Sequence, residues 1–201
     1  MATKAKATTP AKIEKNELFE ADELVALARQ NIERGELDAA LGKLKQAMSD
    51  SAPPAEAFAM GARLYAQLGL WERAKTLYQR FLEAEPNAVN EAFQLGMVHF
   101  DSGQIDEAVT IWENLLKSHP THPPALFYRS LAKHQLGQTA EARRTLDVLI
   151  KSAAPDNLYF NRAKELLQTI EGQQAMPAVS RTVSTTEALR VAPKDAYKTE
   201  H

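Results

Sequence analysis

His119 and His122, three residues apart in the stretch SHPTHP, are the side chains in this sequence that most suggest metal ligation. A structural zinc site draws four ligands from cysteine, histidine and carboxylate at set spacings. Here the pair stands in a proline-punctuated turn, and the chain has no cysteine. No carboxylate cluster lies near it in sequence, so an exposed loop is expected and a metal is not. The remaining histidines are His99, His134 and His201. The acid pairs Asp106–Glu107 and Glu83–Glu85 fall at expected helix ends; at a helix start they complement the dipole. There is no glycine-rich phosphate loop, no GxSxG and no HExxH. The chemistry-bearing residues therefore point away from an enzyme, and no cofactor is expected.

Composition narrows the class further. The chain has 201 residues, 44% hydrophobic and 25% charged, with a formal net charge of −2. That suffices for one domain with a core. The balanced charge gives no global field favouring nucleic acid or a membrane surface. The lysines of MATKAKATTPAKIEK precede no apolar run, so a secretory signal is not expected. No apolar stretch is long enough to cross a bilayer. With no cysteine, disulfides and thiolate chemistry are excluded, and a cytoplasmic location is the expectation.

The elements that position side chains repeat. Gly35, Gly69, Gly103 and Gly137 are spaced by 34 residues, in GELDAA, GLWERA, GQIDEA and GQTAEA. Five residues after each glycine stands alanine: Ala40, Ala74, Ala108 and Ala142. Four further on stands Leu44, Tyr78, Trp112 or Leu146. Seven before each glycine is a small residue: Ala28, Ala62, Gly96 or Ser130. Registers held this way over four copies mark an internal repeat. Each copy reads as two amphipathic helices with the glycine closing the first. Small residues let the paired helices approach, and Pro86 and Pro120 stop the second helix of their units. One such hairpin cannot bury its apolar faces alone, whereas stacked copies can.

In this pattern the chain resembles the tetratricopeptide repeat proteins. Leu95–Gly96, Ala108, Trp112 and Pro120 carry the resemblance in the third unit, and Tyr65, Ala74, Tyr78 and Pro86 in the second. The resemblance implies an all-α, right-handed α-solenoid of four helix hairpins over residues 21–172. The units run 21–54, 55–88, 89–122 and 123–156. Leu158, Phe160, Ala163, Leu166, Leu167 and Ile170 then predict a capping helix over 157–172, with Asp156 as its N-cap. Trp71 and Trp112 are expected in repeat packing positions. Residues 1–20 and 173–201 read as disordered tails. Within the second, Ser184 and Glu187 fit a capping box for a short helix over 184–192.

The resemblance also implies a concave groove, lined by the first helix of each unit, that holds a partner peptide or helix. Carried over position by position, it nominates Arg29, Arg63, Asn90, Phe93, Met97, Phe100, Phe127, Leu131 and His134. The two arginines suit a carboxylate; the aromatic and methionine positions suit an apolar segment. The carboxylate clamp of the chaperone-binding members is matched only in fragments. Arg129 stands where the family has an apolar packing residue. The expected function is thus a non-enzymatic adaptor or scaffold for a protein or peptide partner. No nucleic acid and no membrane insertion are expected. A secretion-type chaperone is one alternative; self-assembly into a homo-oligomer, with the tail docked in a groove, is the other.

Overall fold

The structure, a computed structural model, describes residues 19–175, with side chains through Gly172. The expectations for the lysine-rich lead-in and for a helix over 184–192 lie outside the described residues. Among those described there are nine α-helices and no strand. They fall into two compact units that divide after Pro54.

The first unit is one hairpin, α1 (Ala21–Glu33) and α2 (Leu37–Ala47). Leu24, Val25 and Ala28 are buried on α1, and Ala40, Leu41, Leu44 and Ala47 on α2. The Glu23 carboxylate accepts the Glu20 N–H at 2.9 Å, which satisfies one of the orphan donors at the helix start.

The second unit holds three hairpins and a final helix. These are α3 (Ala55–Gln67) with α4 (Trp71–Ala84), α5 (Val89–Asp101) with α6 (Ile105–Ser118), α7 (Pro123–Gln135) with α8 (Thr139–Ser152), and α9 (Leu158–Ala175). α4 packs on α5, α6 on α7 and α8 on α9, so the hairpins stack in chain order. α7 also touches α5 and α9 directly. Within this unit the odd-numbered helices therefore form an inner layer and the even-numbered ones an outer layer.

The four repeat glycines turn every hairpin in the same way. Their φ values are +77°, +70°, +82° and +76°, a left-handed backbone that costs any residue with a Cβ. Each glycine N–H donates three residues back, and the next N–H donates five residues back. Gly35 to Ile32 and Glu36 to Asn31 set the pattern, which recurs at Gly69, Gly103 and Gly137 with distances of 2.8–3.0 Å. This is the Schellman closure, which pairs carbonyls that the helix end leaves open.

The packing between paired helices is graded by size. Ala28 and Leu44, Ala62 and Tyr78, Gly96 and Trp112, and Ser130 and Leu146 occupy equivalent places, and all eight are buried. The smallest residue meets the largest. A Cβ built on Gly96 would lie 2.7 Å from Cε2 and 2.8 Å from Cδ1 of Trp112. The indole Nε1 donates to the Phe93 carbonyl at 3.2 Å, so the ring is held both by contact and by a hydrogen bond. The Ser130 hydroxyl donates to Leu126 O at 2.7 Å and brings no unpaired polar atom into the core.

Helix α9 lies on the last hairpin with Ala163, Leu166 and Ile170 buried in the shared core. Three local expectations need correction. Asn157, not Asp156, precedes α9, and its Oδ1 accepts the Tyr159 N–H at 2.9 Å. Leu158 remains in solvent, while its neighbour Tyr159 packs against the core. Trp71 is only partly buried at the start of α4, whereas Trp112 is core.

Candidate functional site

The nominated groove residues separate into three groups. Arg29 is exposed on α1 of the first unit, and all the others belong to the second. Phe93, Met97 and Leu131 are buried, with Met97 at 0% exposure, which corrects the expectation that they line an open groove. Stacking of successive hairpins covers them. The Phe93 ring sits 6.2 Å from Trp112, 5.8 Å from Tyr128 and 5.8 Å from His122, centroid to centroid. One step around a helix separates a residue facing the next hairpin from one facing out, and these three take the inward step.

Arg63, Phe100, Phe127 and His134 are half-buried, and Asn90 is exposed. Phe100 and Phe127 belong to one row of rings crossing the inner layer from α5 to α9. Phe100 lies 6.3 Å from Tyr128, Phe127 lies 5.4 Å from Tyr128, and Phe127 lies 5.7 Å from Tyr159. Tyr159 on the capping helix completes the row, and nothing in the repeat pattern nominates it because it stands beyond the last unit. The Arg162 guanidinium lies over its ring at 5.7 Å. Burial pushes the Tyr128 hydroxyl up to about 12; Tyr159 and Asp101 add to this, and Arg162 opposes it. The Tyr128 hydroxyl therefore stays neutral across the physiological range. His134 turns back toward its own hairpin, with Nδ1 3.4 Å from Thr139 Oγ1.

Arg63 lies beside the buried Tyr78. Burial raises the phenol well above its ordinary range; the Arg63 charge works against that shift and Glu91 reinforces it. A hydrogen bond between Arg63 and the Tyr78 hydroxyl also works against the shift. Arg63 therefore acts on the phenol through both its charge and a hydrogen bond.

Two histidines have structural roles that sequence spacing does not reveal. His122 is the N-cap of α7 and half-buried; its Nδ1 accepts the Ala125 N–H at 3.2 Å, ahead of Pro123 and Pro124 in the first turn. This corrects the reading of the SHPTHP turn as a simple exposed loop, although His119 is exposed. Burial, and secondarily the nearby His119, pull the His122 pKa below its usual value. His99 is likewise shifted down, first by burial and then by the Lys75 cation. Lys75 itself is buried and donates to Glu72 Oε1 at 2.5 Å and to Gln104 Oε1 at 2.8 Å, tying α4 to the α5–α6 turn. Among the described residues no group of three or more His, Cys, Asp or Glu side chains is placed to hold a metal ion. No helix among them is long and apolar enough to cross a membrane.

Comparison with known proteins agrees with this architecture. Residues 67–149 match the family model described as anaphase-promoting complex, cyclosome, subunit 3. The chain is 33% identical over 84 residues to cellulose synthase operon protein C of Pseudomonas fluorescens (strain SBW25), which is 42% of this chain and 7% of that protein. The chain thus spans a small fraction of that relative's length. Among solved structures, a tetratricopeptide repeat protein from Parabacteroides merdae ATCC 43184 superposes with a TM-score of 0.69 at 20% identity, covering 77% of this chain and 61% of the other. YrrB, described as a TPR protein with an unusual peptide-binding site, gives a TM-score of 0.64 at 21% identity over 72% of this chain and 74% of its own.

Proposed function

The chain is a tetratricopeptide-repeat protein by fold, and from that premise we propose that it is a non-enzymatic interaction module. Its second unit takes a segment of a partner protein along the inner layer of α3, α5, α7 and α9. The observation that supports this reading is the row of half-buried rings Phe100, Phe127 and Tyr159, contributed by three successive inner-layer helices. Rings in that setting offer large apolar contact at small cost in side-chain freedom. Arg63 on α3 and Asn90 on α5 suit a carboxylate or a backbone carbonyl of the same segment. A preformed helical layer also avoids much of the ordering cost of binding.

A photoreactive phenylalanine analogue at position 127, introduced into the full chain in its own host, tests this. The expected result is a cross-linked segment of one partner whose yield falls when Phe100→Glu or Arg63→Glu is added, with helicity unchanged by circular dichroism. Cross-links to many unrelated proteins would favour a chaperone, and cross-links to this chain itself would favour self-assembly. No cross-link in the wild-type background, with the fold intact, would remove the inner layer as the site.

A further inference from the structure

A second candidate site lies on the opposite layer. α6 and α8 form the walls of an open cleft of about 360 Å³, and α7 forms its floor. Leu116, Leu126 and Val148 supply the apolar lining, and Val148 is 46% exposed. Lys117, Arg129 and Arg144 supply three cations against one acid, Glu113. That acid is already engaged. It accepts from Arg129 Nε at 3.2 Å and Nη2 at 2.8 Å, and Lys133 Nζ lies 3.4 Å away. Lys133 is further held by Glu141 at 3.1 Å. Arg144 has no carboxylate within ion-pair distance among the described residues. The cleft thus carries uncompensated positive charge beside apolar surface.

Arg129 is the feature that packing does not require. At the same repeat position stand Leu27, Gly61 and Leu95, so the fold accepts an apolar residue or none. A largely buried cation seldom stabilises more than the apolar residue it replaces. Arg129 is nevertheless fixed in place, with Nη1 donating to Thr145 Oγ1 at 2.5 Å in addition to the two bonds to Glu113. A guanidinium has five N–H groups, and these three bonds leave two of them for a ligand. Burial raises the Glu113 carboxyl, but the Arg129 and Lys133 bonds and charges outweigh it and hold the group below the usual carboxylate range. The acid therefore stays ionised as the anchor for Arg129.

We propose that this outer cleft binds an acidic–aliphatic segment of a partner protein. An internal Glu or Asp side chain meets Arg129 and Arg144, and a neighbouring aliphatic side chain covers Leu116 and Val148. Its volume is at the small end for ligand sites, the scale of a few side chains rather than a cofactor. The site is separate from the aromatic row of the inner layer, and the two are tested independently.

The probes are the blocked peptide acetyl-Ala-Leu-Glu-Leu-Ala-amide, its Glu-to-Gln counterpart, and acetyl-Ala-Leu with a free carboxylate. Each is titrated into the isotopically labelled full chain and followed by amide chemical shifts. The expected result is saturable shifts on α6, α7 and α8 with the glutamate peptide. Affinity should be about tenfold weaker for the glutamine peptide, as loss of a charge-assisted bond implies. It should be weakened at least as much by Arg144→Glu or Val148→Glu, both at the exposed rim. Arg129→Leu restores the residue type found elsewhere in the repeat and should keep the fold while losing the binding. Three results would overturn the proposal: no shifts in α6–α8, equal affinity for the two blocked peptides, or a clear preference for the free terminal carboxylate.

Discussion

Adding one methyl group at Gly96 tests the size-graded helix pairing more sharply than any other change. In isolation, Gly→Ala in a helix stabilises by about 1 kcal/mol. Here the new carbon would fall 2.7–2.8 Å from two atoms of the Trp112 ring, and that ring is fully buried and rigid. Overpacking of this kind costs about 1–3 kcal/mol. If the indole retreats, Nε1 leaves the Phe93 carbonyl, and an orphaned buried donor costs about 1–3 kcal/mol more. The net expectation is a loss of about 1–5 kcal/mol. With a urea m-value of about 2 kcal/mol/M, the unfolding midpoint falls by about 0.5–2.5 M. Repeating Gly96→Ala in a Trp112→Phe background should make the change neutral or favourable by up to about 1 kcal/mol, since the indole is gone. A variant with Gly96→Ala alone that unfolds at or above the wild-type midpoint would refute the close approach.

Gly103→Ala isolates the backbone cost instead. No atom lies within 4 Å of the added carbon, so the loss should be the left-handed penalty alone, about 1–2 kcal/mol in the same urea assay. Acid should weaken the second unit through His99 and His122, both shifted down on folding. The folded state then binds fewer protons than the unfolded chain, so stability is full above the usual histidine value of about 6.5 and declines as pH falls toward the lowered values. His122→Asn keeps an N-cap acceptor that cannot titrate; the drop in urea midpoint between pH 8 and pH 5 should shrink in that variant. Arg129→Leu should change stability by no more than about 1 kcal/mol, because Glu113 keeps Lys133 and Thr145 Oγ1 still donates to Glu141 O at 3.0 Å. A loss several times larger would make Arg129 a structural residue and remove the argument for the outer cleft.

The period of 34 residues, the hairpin in each unit and the glycine at each turn were legible in the amino-acid order. These features depend on local backbone preference and on the spacing of apolar side chains along one helix. The left-handed φ of Gly35, Gly69, Gly103 and Gly137 is a property of each short segment. The pairing of small with large residues, Gly96 with Trp112 above all, follows from fixed offsets within one unit. What each side chain meets across units was decided only by tertiary packing. Phe93, Met97 and Leu131 share the spacing expected of groove residues, yet the next hairpin covers them, while Phe100 and Phe127 remain half-open. A rotation of one residue about a helix separates the two outcomes, and amphipathic spacing does not resolve it. Tyr159 joined the aromatic row from outside the repeat, His122 became a cap through its approach to Ala125, and Arg129 found Glu113 and Thr145 on two different helices. Local physics sets the elements; contacts between residues far apart in the chain set which of their faces stays open to a partner.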